Sequence, residues 1–557
     1  MIASTGSAES RSDGITSRPR APEPRFLERR AVLYAAVGVA VALGLVFRII
    51  QYAADRSLWF DESMLALNIL HRSAAGLTRT LDFAQAAPLG FLELEKLATH
   101  AFGDSELSLR VFPFVFGLVS VPLFAALALR LLRPAPALLA TLVFACALGP
   151  VYYASELKQY SGDLVVAIGL TLLATLLLDG ALSGRTQIVA SLAGSAAMLL
   201  SHASVFVAGG IALALAVRAI VRRDRQAFEA FGVTVPWLLT GVFVVVFTVA
   251  RTGQLDTVIG GDSGAYGSGA GLASKLNWIR DVASALLRSM GYPDDAPERY
   301  LHWPLLALAL VGAVGLARRR PTAAAFLLLP FAVTWVASAQ HRYPIFDRTV
   351  LFLVPATVLF VAEGAAVLVR AIPWRIVRAC AAAILAAAVL LVPLVHAAKR
   401  TVDPIQHEEL RQALGYVDRR WEPGDALFVD RGARFALRYY LDCNCLRPAE
   451  IRRLDLAQGF GESPGGPGRQ PVPLRNIDPN FVVGRLDVRT RGALVRQLHG
   501  LSRRSRVWIL YTHLGNAAEA QRIAAMLRRL DSVGRRLASF DTVGAHAYLY
   551  DLRPRSS

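Results

Sequence analysis

Asp61 and Glu62, in the stretch LWFDES at residues 58–63, are adjacent carboxylates placed just after the first long apolar run of the chain, which ends near Tyr52. They sit beside Trp59 and Phe60, and tryptophan in particular favours the depth of the membrane headgroups. A sheltered carboxylate can take the proton from an attacking hydroxyl as a general base. It can also bind a metal or a sugar hydroxyl. The same pair suits the start of a helix at ESMLALNIL, where acids cap the first turn and complement the dipole. Spacing alone leaves both readings open.

A second polar group is YYASELKQYSGD, residues 152–163. Read as one helix, it places Tyr152, Glu156, Gln159, Tyr160 and Asp163 on a common face, with Lys158 pointing elsewhere. A stripe of acid, amide and phenol suits a hydroxylated ligand. It equally suits a solvated helix end from which Lys158 snorkels to the headgroups. A third group is HRYPIFDR, residues 341–348. Pro344 predicts the first residue of the next helix, so Arg342 and Arg348 would flank an N terminus that favours an anion. Arginine is also suited to bidentate contact with phosphate. The alternative is a local ion pair, Arg348 with Asp347 or Arg342 with an aspartate. His202, in LLSHAS, reads as a packed polar residue or as a ligand contact.

The elements that must position these residues are membrane helices. The chain has 557 residues, 54% of them hydrophobic and only 18% charged, with a mean hydropathy of +0.42. About eleven apolar stretches approach the ~20 residues that span a bilayer. They lie near 31–52, 108–132, 135–153, 161–180, 187–204, 205–221, 232–251, 301–317, 322–340, 346–369 and 376–397. The net charge of +18 resides largely in the linkers. Arg130, Arg133, Arg185, Arg218, Arg222, Arg223, Arg225, Arg318, Arg319, Arg320, Arg370, Arg375 and Arg378 fall on the side shared with Arg25, Arg29 and Arg30. The opposite linkers are mixed or acidic. The positive-inside rule then predicts a cytoplasmic N terminus and places Asp61, Glu156 and Arg348 together at the outer face. A nucleic-acid binder would instead need its basic residues on one soluble face, so nucleic acid is excluded as a partner and the bilayer takes its place.

Three regions are expected: a disordered cytoplasmic N terminus over 1–30, a transmembrane domain over 31–399 with its first outer loop at 53–107, and an extracytoplasmic α/β domain over 400–557. The N terminus lacks a cleavable signal pattern, so the first apolar run is expected to remain as an anchor. In the outer loop, helical patterns occupy 61–71 and 88–101, the second lying along the membrane surface. GGDSGAYGSGAG in the 252–300 loop reads as a tether or a lid. In the tail, HEELRQALGYVDRRW reads as an amphipathic helix. DALFVD, ARFALRYYL, RVWILYTHL, AAEAQRIAAMLRRL and AHAYLYDL read as strand, helix, strand, helix and strand. GFGESPGGPGR lacks the context of a phosphate loop. Cys146 and Cys380 fall in apolar segments as packing residues, while Cys443 and Cys445 are free thiols or a short-loop disulfide and make a weak zinc signal.

LWFDESMLALNIL, QAAPLGFLELEKLATHAFGDSELSLRVFPFVFGL, YYASELKQYSGDL and HRYPIFDRTVLFLVPATVLFVAEG together resemble bacterial membrane glycosyltransferases of the GT-C type. The branch they resemble is protein-mannosyltransferase-like and includes lipid A aminoarabinose transferases and rhizobial core-sugar transferases. The resemblance covers roughly residues 30–400 and is most specific in the first outer loop. It implies a GT-C-like fold and a polyprenyl-phosphate-linked sugar donor. The acceptor, a glycan, lipid or protein, would approach from the outer side of a bacterial cytoplasmic membrane. By this resemblance Asp61 is the base and Glu62 its neighbour in positioning. ELKQY and RYP match the basic positions near the donor phosphate, mapping to Lys158, Arg342 and, less directly, Arg348. Glu156, Gln159, Tyr160, Asp163, His202 and Tyr343 are expected along the substrate. The family's His-Pro-Pro is replaced by QAAPLG, which keeps Pro88 but has no histidine, so Gln85 offers a neutral contact there. No cofactor is required; a divalent metal is compatible but not implied. Direct displacement of phosphate would invert the anomeric centre. Two other readings stay open: a transporter or flippase of a lipid-linked glycan, and a non-catalytic scaffold for envelope assembly.

Overall fold

The computed structural model describes residues 24–180, 183–252, 271–295, 297–430, 432–442, 481–484, 506–512 and 517–552. Of the N terminus expected to be disordered over 1–30, residues 1–23 lie outside them, as do all of GGDSGAYGSGAG but its last glycine, GFGESPGGPGR, and Cys443 and Cys445; residues 24–30 are instead helical, as the start of Pro24–Ala53.

Among the described residues, nine helices are long and apolar enough to cross a bilayer, and a bent pair makes a tenth path. The bent pair, Pro134–Cys146 and Leu148–Ser155, turns by 51° where the expected span 135–153 lies. Its break at Ala147 leaves helix-end carbonyls to be satisfied. The buried Arg48 of the first span answers one of them, donating from Nη1 to the Ala145 carbonyl at 3.4 Å and to that of Gly44 at 2.9 Å. The eleventh expected span, 187–204, corresponds to Gly184–Met198, a helix of 15 residues. At 1.5 Å per residue it is about 22 Å long, short of the hydrocarbon core.

Small residues let spans approach closely. A Cβ on Gly312 would meet the Phe360 carbonyl oxygen at 1.8 Å, and one on Gly364 would meet that of Leu308 at 1.9 Å. Helices His302–Arg319 and Val354–Arg370 therefore cross almost backbone to backbone. Cys146 is buried as expected of a packing residue, whereas Cys380 is exposed on Arg375–Val402.

Two local expectations are corrected. Residues 152–163 are not one helix: Leu148–Tyr152 passes through a 3-10 turn, Tyr153–Ser155, into extended backbone at Glu156, and a new helix starts at Tyr160. Pro344 does not open a helix either. A 3-10 segment, Asp347–Leu353, precedes the helix Val354–Arg370, and Pro355 occupies its first turn.

The first outer loop contains helices Phe60–His71 and Leu89–Phe102, where the periodicity predicts them. The second leaves Leu97 and Phe102 exposed while burying Phe91 and Leu92, as a helix lying on a membrane surface would. Beyond Val402 comes helix Leu410–Arg420, then a five-stranded sheet with β1 Ala426–Asp430, β2 Phe481–Gly484, β3 Val507–Thr512, β4 Arg535–Thr542 and β5 Ala545–Asp551. The order is β2-β1-β3-β5-β4. β1 pairs parallel with β2 and β3, and β5 antiparallel with β3 and β4. β2 and β4 are additions to the expected strands. Helices Arg434–Asp442 and Ala517–Val533 complete the domain. One apolar cluster runs from Leu65, Ile69 and Phe91 of the outer loop into Leu414, Leu437 and Trp508 of the sheet domain, so the domain is seated on that loop.

Candidate functional site

The helix Phe60–His71 starts its first turn with Asp61 and Glu62, and the two side chains leave it in opposite directions. Glu62 points into the protein and is 0% exposed. Arg110 grips it from two nitrogens, Nε to Oε1 at 2.9 Å and Nη2 to Oε2 at 2.7 Å. Arg56 adds a longer contact of 3.5 Å, and the Leu157 backbone N–H donates to Oε1 at 2.7 Å. The Trp59 N–H, one of the orphan donors of the helix start, reaches Oε2 at 3.4 Å. Burial alone would raise the pKa of Glu62, but Arg110 and then Arg56 outweigh it and hold the carboxyl down at about 2. This is a closed, fully bonded anion.

Asp61 points to the other side, with 19% of its side chain exposed, and pairs with Arg348 at 2.5 Å. The Arg348 guanidinium is also ringed by aromatic faces: its carbon lies 5.7 Å from the Trp59 centroid, 5.8 Å from Tyr160 and 5.6 Å from Phe346. Such cation–π contacts hold its plane without consuming its donors. Arg348 thus finds a partner far from it in the chain.

Lys158 does not snorkel. The break in the helix turns it inward, where Nζ donates to Gln85 Oε1 at 2.7 Å. Burial lowers its pKa, against the raising charge of Asp61. Glu156 is buried, its oxygens making no hydrogen bond of good geometry although the Tyr152 hydroxyl lies close by. Burial and then the Glu62 charge raise its pKa, against Arg56 and Arg348. The Gln159 carbonyl oxygen is likewise without a partner.

The remaining predicted residues spread outward. Ser201 donates to Asp163 at 2.6 Å. Tyr343 donates to the Thr349 carbonyl at 2.9 Å and packs edge-on against Phe206; burial raises its phenol pKa, and Asp163 and Tyr160 add to this. His202 contacts the Thr248 hydroxyl at 3.1 Å, and burial followed by the Arg251 charge lowers its pKa to about 4. Arg342 is exposed at the turn after helix Pro321–Ala339 and takes no part in the Asp61–Arg348 pair. The structure therefore brings together Asp61, Arg348, Tyr160, Lys158, Gln85 and Glu156, and leaves Arg342 and His202 apart.

Sequence reading missed the supports. Arg56 and Arg110 bracket Glu62 from either side of the outer loop, and only their positions beside apolar segments hinted at it. The sheet domain's approach also contributes: the Phe60 N–H donates to Glu408 at 3.1 Å, and the Ser57 hydroxyl to Glu409 at 3.0 Å. Tyr440 accepts from the Leu58 N–H at 2.9 Å and donates to Glu106 at 3.0 Å. Among the described residues, no group of three His, Cys, Asp or Glu side chains is spaced to hold a metal ion.

No protein-family model matches the sequence, and no curated protein matches it. Solved structures do match the fold. ArnT from Cupriavidus metallidurans bound to undecaprenyl phosphate is 14% identical, with 93% of this chain and 98% of that chain covered at a TM-score of 0.50. The Archaeoglobus fulgidus oligosaccharyltransferase in its apo form is 12% identical, with 94% and 75% covered at 0.50. The chain therefore has a GT-C-like fold, a multi-pass helical membrane protein with a C-terminal α/β domain.

Proposed function

We propose that this chain is a glycosyltransferase that moves a sugar from a polyprenyl-phosphate-linked donor to an acceptor hydroxyl at the outer face of a bacterial cytoplasmic membrane. The observation that carries the reading is the meeting of three distant segments at one end of the helical bundle. FDES supplies Asp61, ELKQY supplies Lys158 through Gln85, and the 3-10 segment supplies Arg348. A carboxylate beside two cations is what an attacking hydroxyl and a departing phosphate need together.

In this reading the resting Asp61–Arg348 pair is exchanged on substrate entry. The donor phosphate takes the Arg348 guanidinium, releasing Asp61 to accept the proton of the acceptor hydroxyl. The acceptor oxygen forms its bond to the anomeric carbon. The bond from that carbon to the phosphate oxygen breaks, and polyprenyl phosphate leaves with the electron pair against Arg348 and Lys158. One direct displacement inverts the centre. Glu62, with its oxygens already engaged, positions the helix start. Tyr160, Glu156 and Gln159 line the adjacent space, which suits a hydroxylated ring. In this reading the basic linkers lie in the cytoplasm with the N terminus, and with the short helix Gly184–Met198 crossing as an eleventh span the sheet domain lies outside. A glycan, lipid or protein acceptor fits the arrangement equally.

The test uses purified protein in lipid with a panel of polyprenyl-phosphate sugars and an envelope extract as acceptor source. Release of polyprenyl phosphate by the wild type, lost in Asp61→Asn, is the expected result. Equal turnover in the mutant would move the base elsewhere. Movement of an unaltered lipid-linked sugar across the bilayer would replace transfer by transport.

A further inference from the structure

Beside the Asp61–Arg348 pair, Tyr152 and Arg56 take no part in that chemistry, and Glu156 only lines the adjacent space. Tyr152, Glu156 and Arg56 are buried, at 7%, 1% and 2% exposure. The Tyr152 hydroxyl, both Glu156 oxygens and Arg56 Nε have no hydrogen bond of good geometry, nor has the indole N–H of Trp59. A buried polar group left unmatched costs about 1–3 kcal/mol; Tyr152 and Glu156 stand close enough to interact with each other, while the Arg56 Nε and the Trp59 indole N–H beside them select for a ligand that matches them. The cluster also has ring faces. The His407 ring stands 5.4 Å from that of Trp59 and 5.3 Å from that of Tyr152, while the Arg56 guanidinium lies 4.8 Å from the Tyr152 ring.

His407 belongs neither to the helical bundle nor to the sheet. It sits on the junction between the last span and helix Leu410–Arg420. This junction is fixed from both sides. The next two residues, Glu408 and Glu409, accept from Phe60 and Ser57 of the outer loop. The Glu409 N–H donates to the Val543 carbonyl in the β4–β5 turn at 2.8 Å. Gly544 of that turn, at φ +63°, lies so close that a Cβ there would meet the His407 carbonyl oxygen at 1.9 Å. The sheet domain thus sets where the imidazole stands.

We infer that the junction completes a sugar-binding recess, in which His407, Trp59 and Tyr152 hold the ring of the donor sugar. Apolar ring faces and unmatched donors and acceptors are the two features that a polyhydroxylated ring pairs with: its C–H face lies against the aromatics and its hydroxyls reach Tyr152, Glu156 and Arg56. The recess adjoins the Arg348 guanidinium through Trp59, which places it beside the phosphate. The inference rests on the proposed lipid-phosphate site but makes a separate claim: the sugar is held partly by the domain junction.

The experiment compares binding of undecaprenyl phosphate with binding of undecaprenyl-phosphate-linked hexose, pentose and amino sugar to full-length protein in lipid. Wild type should bind at least one sugar-bearing lipid more tightly than undecaprenyl phosphate. His407→Ala, and independently Tyr152→Phe, should each shrink that difference by about threefold to tenfold, as expected for one hydrogen bond or ring contact. Affinity for undecaprenyl phosphate itself should stay unchanged. A full difference retained in both variants overturns the inference. So does an equal loss for both classes of lipid, which would mark a structural role, and so does a wild type without preference for any sugar-bearing lipid. Failure of wild type to bind undecaprenyl phosphate at all overturns the proposed function instead.

Discussion

Asp61 and Glu62 are neighbours in the chain, yet they occupy opposite kinds of environment. Glu62 is sealed from solvent and engaged by two arginines and two backbone N–H groups. Asp61 keeps 19% of its side chain exposed and meets a cation that is itself one-quarter exposed. The difference teaches how one helix turn can do two jobs. The Glu62 cluster anchors the helix start, and in the proposed reaction that anchoring presents Asp61 to substrate with a partner that an incoming anion can displace.

Removing the charge from each acid should separate the two roles. Asp61→Asn should lower transfer by about 10²- to 10⁴-fold, the range for a lost general base, with the thermal unfolding midpoint unchanged. If that midpoint falls substantially as well, the contrast collapses. Glu62→Gln should instead leave Arg110 and Arg56 buried without a full counter-charge, at a cost of about 3–5 kcal/mol in stability. Denaturation in detergent micelles would read it. The sign with pH follows from the depressed pKa of about 2, against an ordinary 4.5. The contribution of Glu62 is fully present above pH 4.5 and is lost as pH falls toward 2, so wild type and Glu62→Gln should converge in acid.

Arg348→Lys tests the exchangeable side of the comparison. Lysine keeps the charge but loses the planar fork and much of the contact with Trp59, Tyr160 and Phe346. The expected result is a KM for the lipid donor raised about tenfold, or about 1.4 kcal/mol, with kcat less affected. The smallest effect concerns a third carboxyl, Glu95, which is fully buried with neither oxygen bonded. Burial raises its pKa well above 4.5. Above that pH the unfolded chain gains an ionisation the fold resists, so Glu95→Gln should stabilise the protein by about 1 kcal/mol at neutral pH. The gain should vanish below pH 4.5; a destabilised Glu95→Gln would mean that the carboxyl has work the structure does not display.

The spans were legible because each must be satisfied within itself: a run of about 20 apolar residues can only be a helix in lipid. That logic uses apolar length and period alone. It failed at the bent pair and at Tyr152–Asp163, where apolar periodicity continues across a break that packing, not propensity, imposes. Helical periodicity alone points Lys158 away from the polar stripe, whereas the break turns it inward toward Gln85. Arg348 was grouped with Arg342 by their nearness in the chain, and they separate because the 3-10 segment carries one inward and leaves the other at the surface.

What the sequence determined by itself is the membrane architecture, the helices of the outer loop, most of the sheet domain, and the presence of acids and cations near one face. These depend on local composition and period, which survive without knowledge of distant contacts. Only the tertiary structure decided which acid is closed and which is open, that Arg56 and Arg110 rather than Arg348 serve Glu62, and that His407 from the domain junction stands between Trp59 and Tyr152. Those outcomes depend on the direction of single side chains between segments as far apart as Trp59 and His407. No period in the sequence encodes them, because they arise only when buried charges find the partners that their loss of water demands.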